Sequence, residues 1–172
     1  VTGLETTDGF VPAGTVVLAA GILTPDLLQP LGHTLPLEIN VVTVLQTEPL
    51  PHRLAQVFGV ANADCAGRQE VDGRLRVTSG IGRWPGTASA WRDTNLTPRA
   101  DAVASLKALV GHVVPAIEAS RAPRVWGGLI DLTPDALPVI DRPDGIEGLV
   151  VAAGFSGHGF GIGPVTGQLV SD

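Results

Sequence analysis

The residues best placed to do chemistry lie near the end of the chain, in Gly148-Leu-Val-Val-Ala-Ala-Gly-Phe-Ser-Gly-His-Gly-Phe-Gly-Ile-Gly-Pro-Val-Thr-Gly167. An apolar run stops at Gly154, glycines follow at 154, 157, 159, 161 and 163, and a short helical pattern begins after them. Strand, glycine loop and helix N-terminus bring bare backbone N–H groups against a flat or anionic group. Glycine allows the main chain to approach closely and to adopt positive φ. The string is not the dinucleotide fingerprint G-x-G-x-x-G, because Ile162 stands where a glycine is required. A plain strand-to-helix turn is the competing reading, but five glycines in ten residues exceed what one tight turn needs. A second constellation is Trp126-Gly-Gly-Leu-Ile-Asp-Leu-Thr-Pro-Asp-Ala-Leu-Pro-Val-Ile140. Gly127-Gly128 inside a strand pattern marks either a bulge or a close backbone approach.

These segments need a scaffold, and composition bounds it. The chain has 172 residues, 44% of them hydrophobic, with a net charge of −6. That is enough for a real core. The acidic balance and scattered basic residues argue against nucleic-acid binding. No apolar stretch approaches the roughly 18 residues that a membrane helix needs. Cys65 is the one cysteine, which rules out an internal disulfide and fits a reducing, cytoplasmic compartment. His33, His52, His112 and His158 lack metal-ligand spacing, so no metal site is expected.

The positioning elements read as follows. Val1–Leu4 and Phe10–Ala20 are expected strands around an Asp8-Gly9 turn, with Thr15–Ala20 buried on both faces. Thr24 is the expected N-cap of a helix over 24–31, with Pro25 in its first position. Residues 37–46 alternate with a period of two, as in a long half-buried strand. Val57–Ala61, Gly67–Val71 and Arg74–Thr78 follow as strands, the last two around Asp72-Gly73. Thr97-Pro98 opens a helix with Ala102, Leu106, Leu109, Val110, Val113 and Ile117 on one face, ended or kinked at Pro115. Arg124–Leu132, Pro138–Ile140 and Leu149–Ala153 are strands. Antiparallel signals dominate and helices are few, which makes the class α+β. The chain has no methionine, opens in mid-hairpin and closes where a helix has barely started. A piece of a longer protein is the expectation, and a processed mature chain is the alternative.

The motif Trp126-Gly-Gly…Thr-Pro-Asp…Pro-Val-Ile140, followed by Gly154-Phe-Ser-Gly-His-Gly-Phe160, resembles the C-terminal half of FAD-dependent amine and amino-acid oxidoreductases. This is the D-amino-acid-oxidase-like family, with its glycine-oxidase and sarcosine-oxidase branches. Asp8-Gly9 and Val16-Val-Leu-Ala-Ala-Gly21 resemble the same family's second FAD-domain strand. The resemblance covers nearly the whole chain. It implies a large mixed or antiparallel substrate-domain sheet with helices, and remnants of a Rossmann-like FAD domain at both ends. On that basis residues 1–34 end the FAD-binding domain, 35–125 form the substrate sheet, and 126–172 return to the FAD domain. Ala20 and Gly21 would approach the FAD phosphates. Gly128 and Leu129, and Gly154, Phe155, Ser156, Gly157, His158, Gly159, Phe160, Gly161 and Ile162, would contact the cofactor. The implied reaction is hydride transfer from the carbon of a C–N bond to non-covalent FAD, followed by imine hydrolysis.

Departures from the family pattern qualify that expectation. The N-terminal dinucleotide fingerprint has no counterpart, so this chain by itself should hold FAD weakly or not at all. Where relatives carry a carboxylate-binding lysine or arginine, this chain has Gly161 and Ile130. Lys107, the single lysine, sits in the expected helix. Two candidates for catalytic roles remain. Arg83 is either a replacement carboxylate anchor or a solvated charge. His158 either polarises the flavin or hydrogen-bonds backbone. Asp135 reads as a turn residue. The implied partners are the FAD-domain half, in the same or a separate chain, and a small amine or amino-acid substrate. A non-catalytic fragment or split subunit is the alternative function. Apolar surface left without its FAD domain would favour an oligomer or a tight partner.

Overall fold

A computed structural model describes residues 1–51, 54–60, 64–93 and 95–172. Its strands are β1 (Gly3–Thr6), β2 (Gly9–Pro12), β3 (Val16–Leu18), β4 (Glu38–Pro49), β5 (Phe58–Val60), β6 (Cys65–Gln69), β7 (Arg74–Arg83), β8 (Arg124–Leu132), β9 (Val139–Asp141) and β10 (Leu149–Ala153). The α-helices are α1 (Thr24–Leu28), α2 (Ala100–Gly111), α3 (Ala116–Ala119) and α4 (Gly159–Ser171). The class is α+β, as the sequence predicts. The strands form a β1–β2 hairpin, a three-stranded sheet in the order β3-β10-β9, and a five-stranded sheet in the order β5-β6-β7-β4-β8. Two compact units result. One contains 1–39, 85–92 and 130–172, and the other 40–84 and 93–129.

In the first unit, β10 is the central strand and every residue of Leu149–Ala153 is buried. It pairs parallel with β3 and antiparallel with β9. Leu28, Leu149, Val151 and Ala153 form its core, with Val16, Leu18 and Leu37 packed on them. The expected long strand over 10–20 is instead β2 and β3, separated by Ala13–Thr15. The hairpin closes with Ala13 N donating to the Thr2 carbonyl at 3.0 Å, one residue beyond the end of β2. β3 is half-buried rather than buried on both faces, and Val17 is 48% exposed. The hairpin turn is Thr7-Asp8, with Thr6 Oγ1 accepting from Asp8 N at 3.2 Å, and Gly9 already belongs to β2. Thr24 is the first residue of α1 rather than its cap, and Leu23 precedes it with helical dihedrals. The expected helix over 24–31 is a five-residue α-helix flanked by 3₁₀ turns at Gly21–Leu23 and Gln29–Leu31.

In the second unit, β4 and β7 pair antiparallel through Val44↔Thr78 and Gln46↔Arg76. β6 pairs antiparallel with both β5 and β7. Leu45, Leu75 and Val77 of the sheet pack against Leu106, Val110, Val114 and Ile117. Each such side chain contributes about 1.5–3 kcal/mol on leaving water. The Asp72-Gly73 hairpin forms as expected, with Asp72 Oδ1 accepting from Arg74 N at 3.0 Å. β7 runs to Arg83, well past the predicted end at Thr78. The predicted end of β5 at Ala61 lies outside the described residues, as does His52. α2 starts at Ala100, with Arg99 in an extended conformation before it. Val113 is 44% exposed and Val114 is buried instead, because α2 ends at Gly111 and Pro115 restarts the helix in a new phase as α3. Lys107 Nζ donates to the Glu118 and Ser120 carbonyls at 2.9 and 2.8 Å, which satisfies acceptors at the end of α3.

Candidate functional site

The glycine segment is shorter as a loop than its sequence suggests. α4 begins at Gly159 and runs thirteen residues, so Gly159, Gly161 and Gly163 are helical. The loop proper is Gly154–His158. Gly154 and Gly157 adopt φ of +69° and +84°, where an L side chain is strained. Gly154 is also sterically confined, because an added Cβ would lie 2.5 Å from Thr133 Cγ2 and 3.0 Å from Leu37 Cδ2. Gly161 and Gly163 have the opposite environment, with nothing within 4 Å of an added Cβ.

The loop is fastened to the end of β8. Asp131 Oδ2 accepts from Gly154 N at 3.0 Å, and the Asp131 carbonyl accepts from Ser156 N at 3.2 Å. Ser156 Oγ accepts from Thr133 N at 3.2 Å and lies 3.2 Å from Thr133 Oγ1. Ser156 is buried with φ +51°, an unusual state for a residue with a side chain. These hydrogen bonds offset the cost of that conformation. Thr133 Oγ1 donates to the Leu137 carbonyl at 2.8 Å, while Asp135 Oδ1 accepts from Leu137 N at 3.1 Å as a turn residue should. Asp131 and Thr133 are loop-positioning residues that the sequence reading did not single out. Their signal is a polar pair closing an otherwise apolar strand.

Register brings a second segment to the same edge. Val16, Val17 and Leu18 run parallel to Leu149, Val150 and Val151, so the carboxyl ends of β3 and β10 emerge together. Ala20 and Gly21 follow the first and Gly154 the second. Gly21 has φ +55° and open space at its Cβ position. Carboxyl ends of neighbouring parallel strands are where such sheets bind ligands. Gly161 N and Ile162 N donate to the His158 carbonyl at 3.0 and 3.2 Å, which leaves the N–H groups of Gly159 and Phe160 without an intrahelical acceptor, and the cap residue His158 supplies no side-chain hydrogen bond. That end of α4 therefore carries exposed donors and partial positive charge.

The remaining predicted residues are distributed as follows. Phe155 and Ile162 are half-buried, Gly157, His158 and Gly161 are exposed, and Phe160 is fully exposed. His158 lines an apolar depression of about 500 Å³ with Pro138, Ile140, Ile162 and Leu169. Gly128, Leu129 and Arg83 belong to the second unit. Gly127 is the close-approach residue of the pair, since a Cβ there would run into the Leu96 carbonyl oxygen. Gly128 has only Val42 Cγ2 nearby, at 3.7 Å. Arg83 is exposed at the end of β7, opposite Asn40 of β4. Among the described residues, no group of three or more His, Cys, Asp or Glu is arranged to hold a metal ion. None of the described helices is long and apolar enough to cross a membrane.

Comparison with known proteins places this geometry in context. The family described as FAD dependent oxidoreductase matches residues 1–172. The chain is 31% identical to glycine oxidase from Pseudomonas putida over 175 residues, which is 100% of this chain and 44% of that protein. It is 29% identical to sarcosine oxidase subunit beta from Rhizobium meliloti, over 97% of this chain and 38% of that one. The crystal structure of glycine oxidase from Geobacillus kaustophilus superposes with a TM-score of 0.83 at 28% identity, covering 100% of this chain and 45% of the other. The chain thus spans less than half the length of these relatives.

Proposed function

The chain belongs to the FAD dependent oxidoreductase family, and we propose that it supplies the C-terminal part of a flavin-dependent amine or amino-acid oxidoreductase. The observation that carries this reading is the shared sheet edge where Ala20–Gly21 and the Gly154–His158 loop emerge, with the start of α4 directly behind. Its donors and its uncrowded glycines, Gly21 and Gly161, suit a flat anionic group such as FAD. When bound, FAD accepts the hydride that leaves the carbon of a C–N bond.

Gly154–Ile162 line the flavin side, Ala20 and Gly21 face its phosphates, and Gly128 and Leu129 belong to the contacting strand. Asp131 and Thr133 act by holding the loop. The start of α4 stabilises negative charge close to its free N–H groups. Arg83 grips a substrate carboxylate, and His158 is the candidate to hydrogen-bond the cofactor. The first unit, residues 1–39, 85–92 and 130–172, is the part assigned to the FAD-binding domain and the second, 40–84 and 93–129, the substrate sheet, so the expected boundaries at 34/35 and 125/126 move by a few residues and 85–92 changes sides. The rest of the FAD-binding domain, in the same or a separate chain, is the required partner.

The test uses the complete polypeptide or complex that contains residues 1–172. Its absorbance is recorded between about 350 and 500 nm, with intact mass on the same sample, and small amino acids and secondary amines are then added without oxygen. Paired flavin bands that bleach on addition of an amine substrate support the proposal. A colourless complete protein, or flavin bands that no amine or amino acid bleaches, overturns it.

A further inference from the structure

We propose that Asp131, besides fastening the loop, sets how readily the bound flavin is reduced, because its carboxylate charge opposes the arrival of electrons. This role rests on the flavin reading above and adds to it a residue that acts on the cofactor through charge.

Asp131 is the penultimate residue of β8. It holds the loop twice, through Oδ2 accepting from Gly154 N at 3.0 Å and through its carbonyl accepting from Ser156 N at 3.2 Å. Its second carboxylate oxygen is differently placed. Among the described residues Oδ1 has no hydrogen-bond partner, and it is open to the surface rather than buried. No described lysine, arginine or histidine forms an ion pair with this carboxylate. The fold therefore leaves a half-buried negative charge without a counter-ion. Taking a charge even part-way out of water without a cation is unfavourable. Holding Gly154 N does not require it, because an amide or hydroxyl oxygen accepts the same bond. The charge is surplus to the structure of the loop, and departures of that kind are expected where a site works.

The loop gives the charge something to act on. It runs from Gly154, bonded to Asp131, into α4, whose first turn carries partial positive charge. A group held by this loop feels the two in opposition. The start of α4 favours added electron density, and the carboxylate disfavours it. A hydride brings one negative charge to the flavin, so the balance of the two fields biases the equilibrium between oxidised and reduced cofactor. Removing the carboxylate charge while keeping its hydrogen bond leaves the helix unopposed, and the flavin becomes easier to reduce.

The test measures the reduction equilibrium of the flavin against a reference dye, in the complete polypeptide or complex that contains residues 1–172. Asp131→Asn keeps an acceptor for Gly154 N and removes the charge, and Asp131→Ser offers a hydroxyl instead. The expected result is a shift toward reduced flavin of at least about fivefold in each variant, the scale of one charge in a partly dry site. Asp135→Asn removes an exposed turn carboxylate on the same segment and should shift the equilibrium by less than about twofold. A loop-holding role alone would move stability and flavin retention but not this equilibrium. A smaller shift in an Asp131 variant that retains flavin, a shift toward oxidised flavin, or an equal shift in Asp135→Asn overturns the proposal and leaves the flavin reading standing. Loss of flavin from both neutral variants overturns it too, because the charge is then part of what holds the loop. A colourless complete parent sinks the flavin reading and this role with it, before any variant is made.

Discussion

Gly154 and Gly161 sit seven residues apart in the same motif, and the structure predicts opposite consequences for the same substitution. At Gly154 the backbone is left-handed, with φ +69°. An alanine there costs about 1–2 kcal/mol for the conformation alone. Its Cβ would also lie 2.5 Å from Thr133 Cγ2 and 3.0 Å from Leu37 Cδ2, in a buried site. Forcing a methyl into such a space costs about 1–3 kcal/mol more. Gly154→Ala should therefore destabilise the chain by about 2–5 kcal/mol, a fall in Tm of roughly 4–20 °C for a chain of this size. Gly161 is in the first turn of α4 with nothing within 4 Å of an added Cβ. Gly161→Ala should stabilise by about 0.5–1 kcal/mol, because alanine loses less backbone entropy in a helix. Thermal unfolding of the two variants by far-ultraviolet circular dichroism reads both signs. If they shift Tm in the same direction, or if Gly154→Ala falls within about 0.5 kcal/mol of the parent, the division of this motif into a strained loop and an uncrowded helix is wrong. In the complete protein, Gly161→Ala should at the same time weaken flavin retention. A glycine that the fold does not require but a flat ligand does would behave in that way.

Other consequences follow from the same contacts. Asp131→Ala removes the acceptor of Gly154 N and should cost about 1–3 kcal/mol in urea unfolding, with Asp131→Asn costing less because its amide oxygen still accepts. Lys107→Met should cost about 1 kcal/mol in the same assay, mainly through the carbonyl of buried Ser120, since water can replace the lysine at exposed Glu118. The Cys65 thiol is raised above its ordinary value of 9.0, first by burial and then by Asp64, so it should react slowly with a disulfide reagent until the chain unfolds. Because the native state holds that proton longer, its contribution to stability is whole below 9.0 and is lost as pH rises toward the native value. Unfolding midpoints of Cys65→Ser and the parent, compared across the alkaline range, should show the parent losing more.

How much of the fold is legible in the sequence depends on the range of the interaction. β8 and β10 are legible to the residue, since an apolar run bounded by Gly or Pro carries its own boundaries. The Asp72-Gly73 turn is equally plain, because a side chain bonding its own backbone is a local event. The exchange of Val113 for Val114 arises where Pro115 resets the helical phase, which a single periodicity cannot show. The glycine motif stands out, but its parts cannot be told apart, because glycine serves a left-handed turn and an uncrowded helix face with the same letter. Distinguishing them requires Thr133 and Leu37, which reach Gly154 only through the fold. The same applies to Asp131, whose partner lies 23 residues away. Its spacing from Gly154 marks nothing locally, yet β8 and the end of β10 must meet for the loop to form at all. The segment's two roles, packing the sheet and presenting backbone donors, are therefore coupled through one carboxylate. A substitution at Asp131 should disturb the loop first, with Leu149–Ala153 remaining in the core.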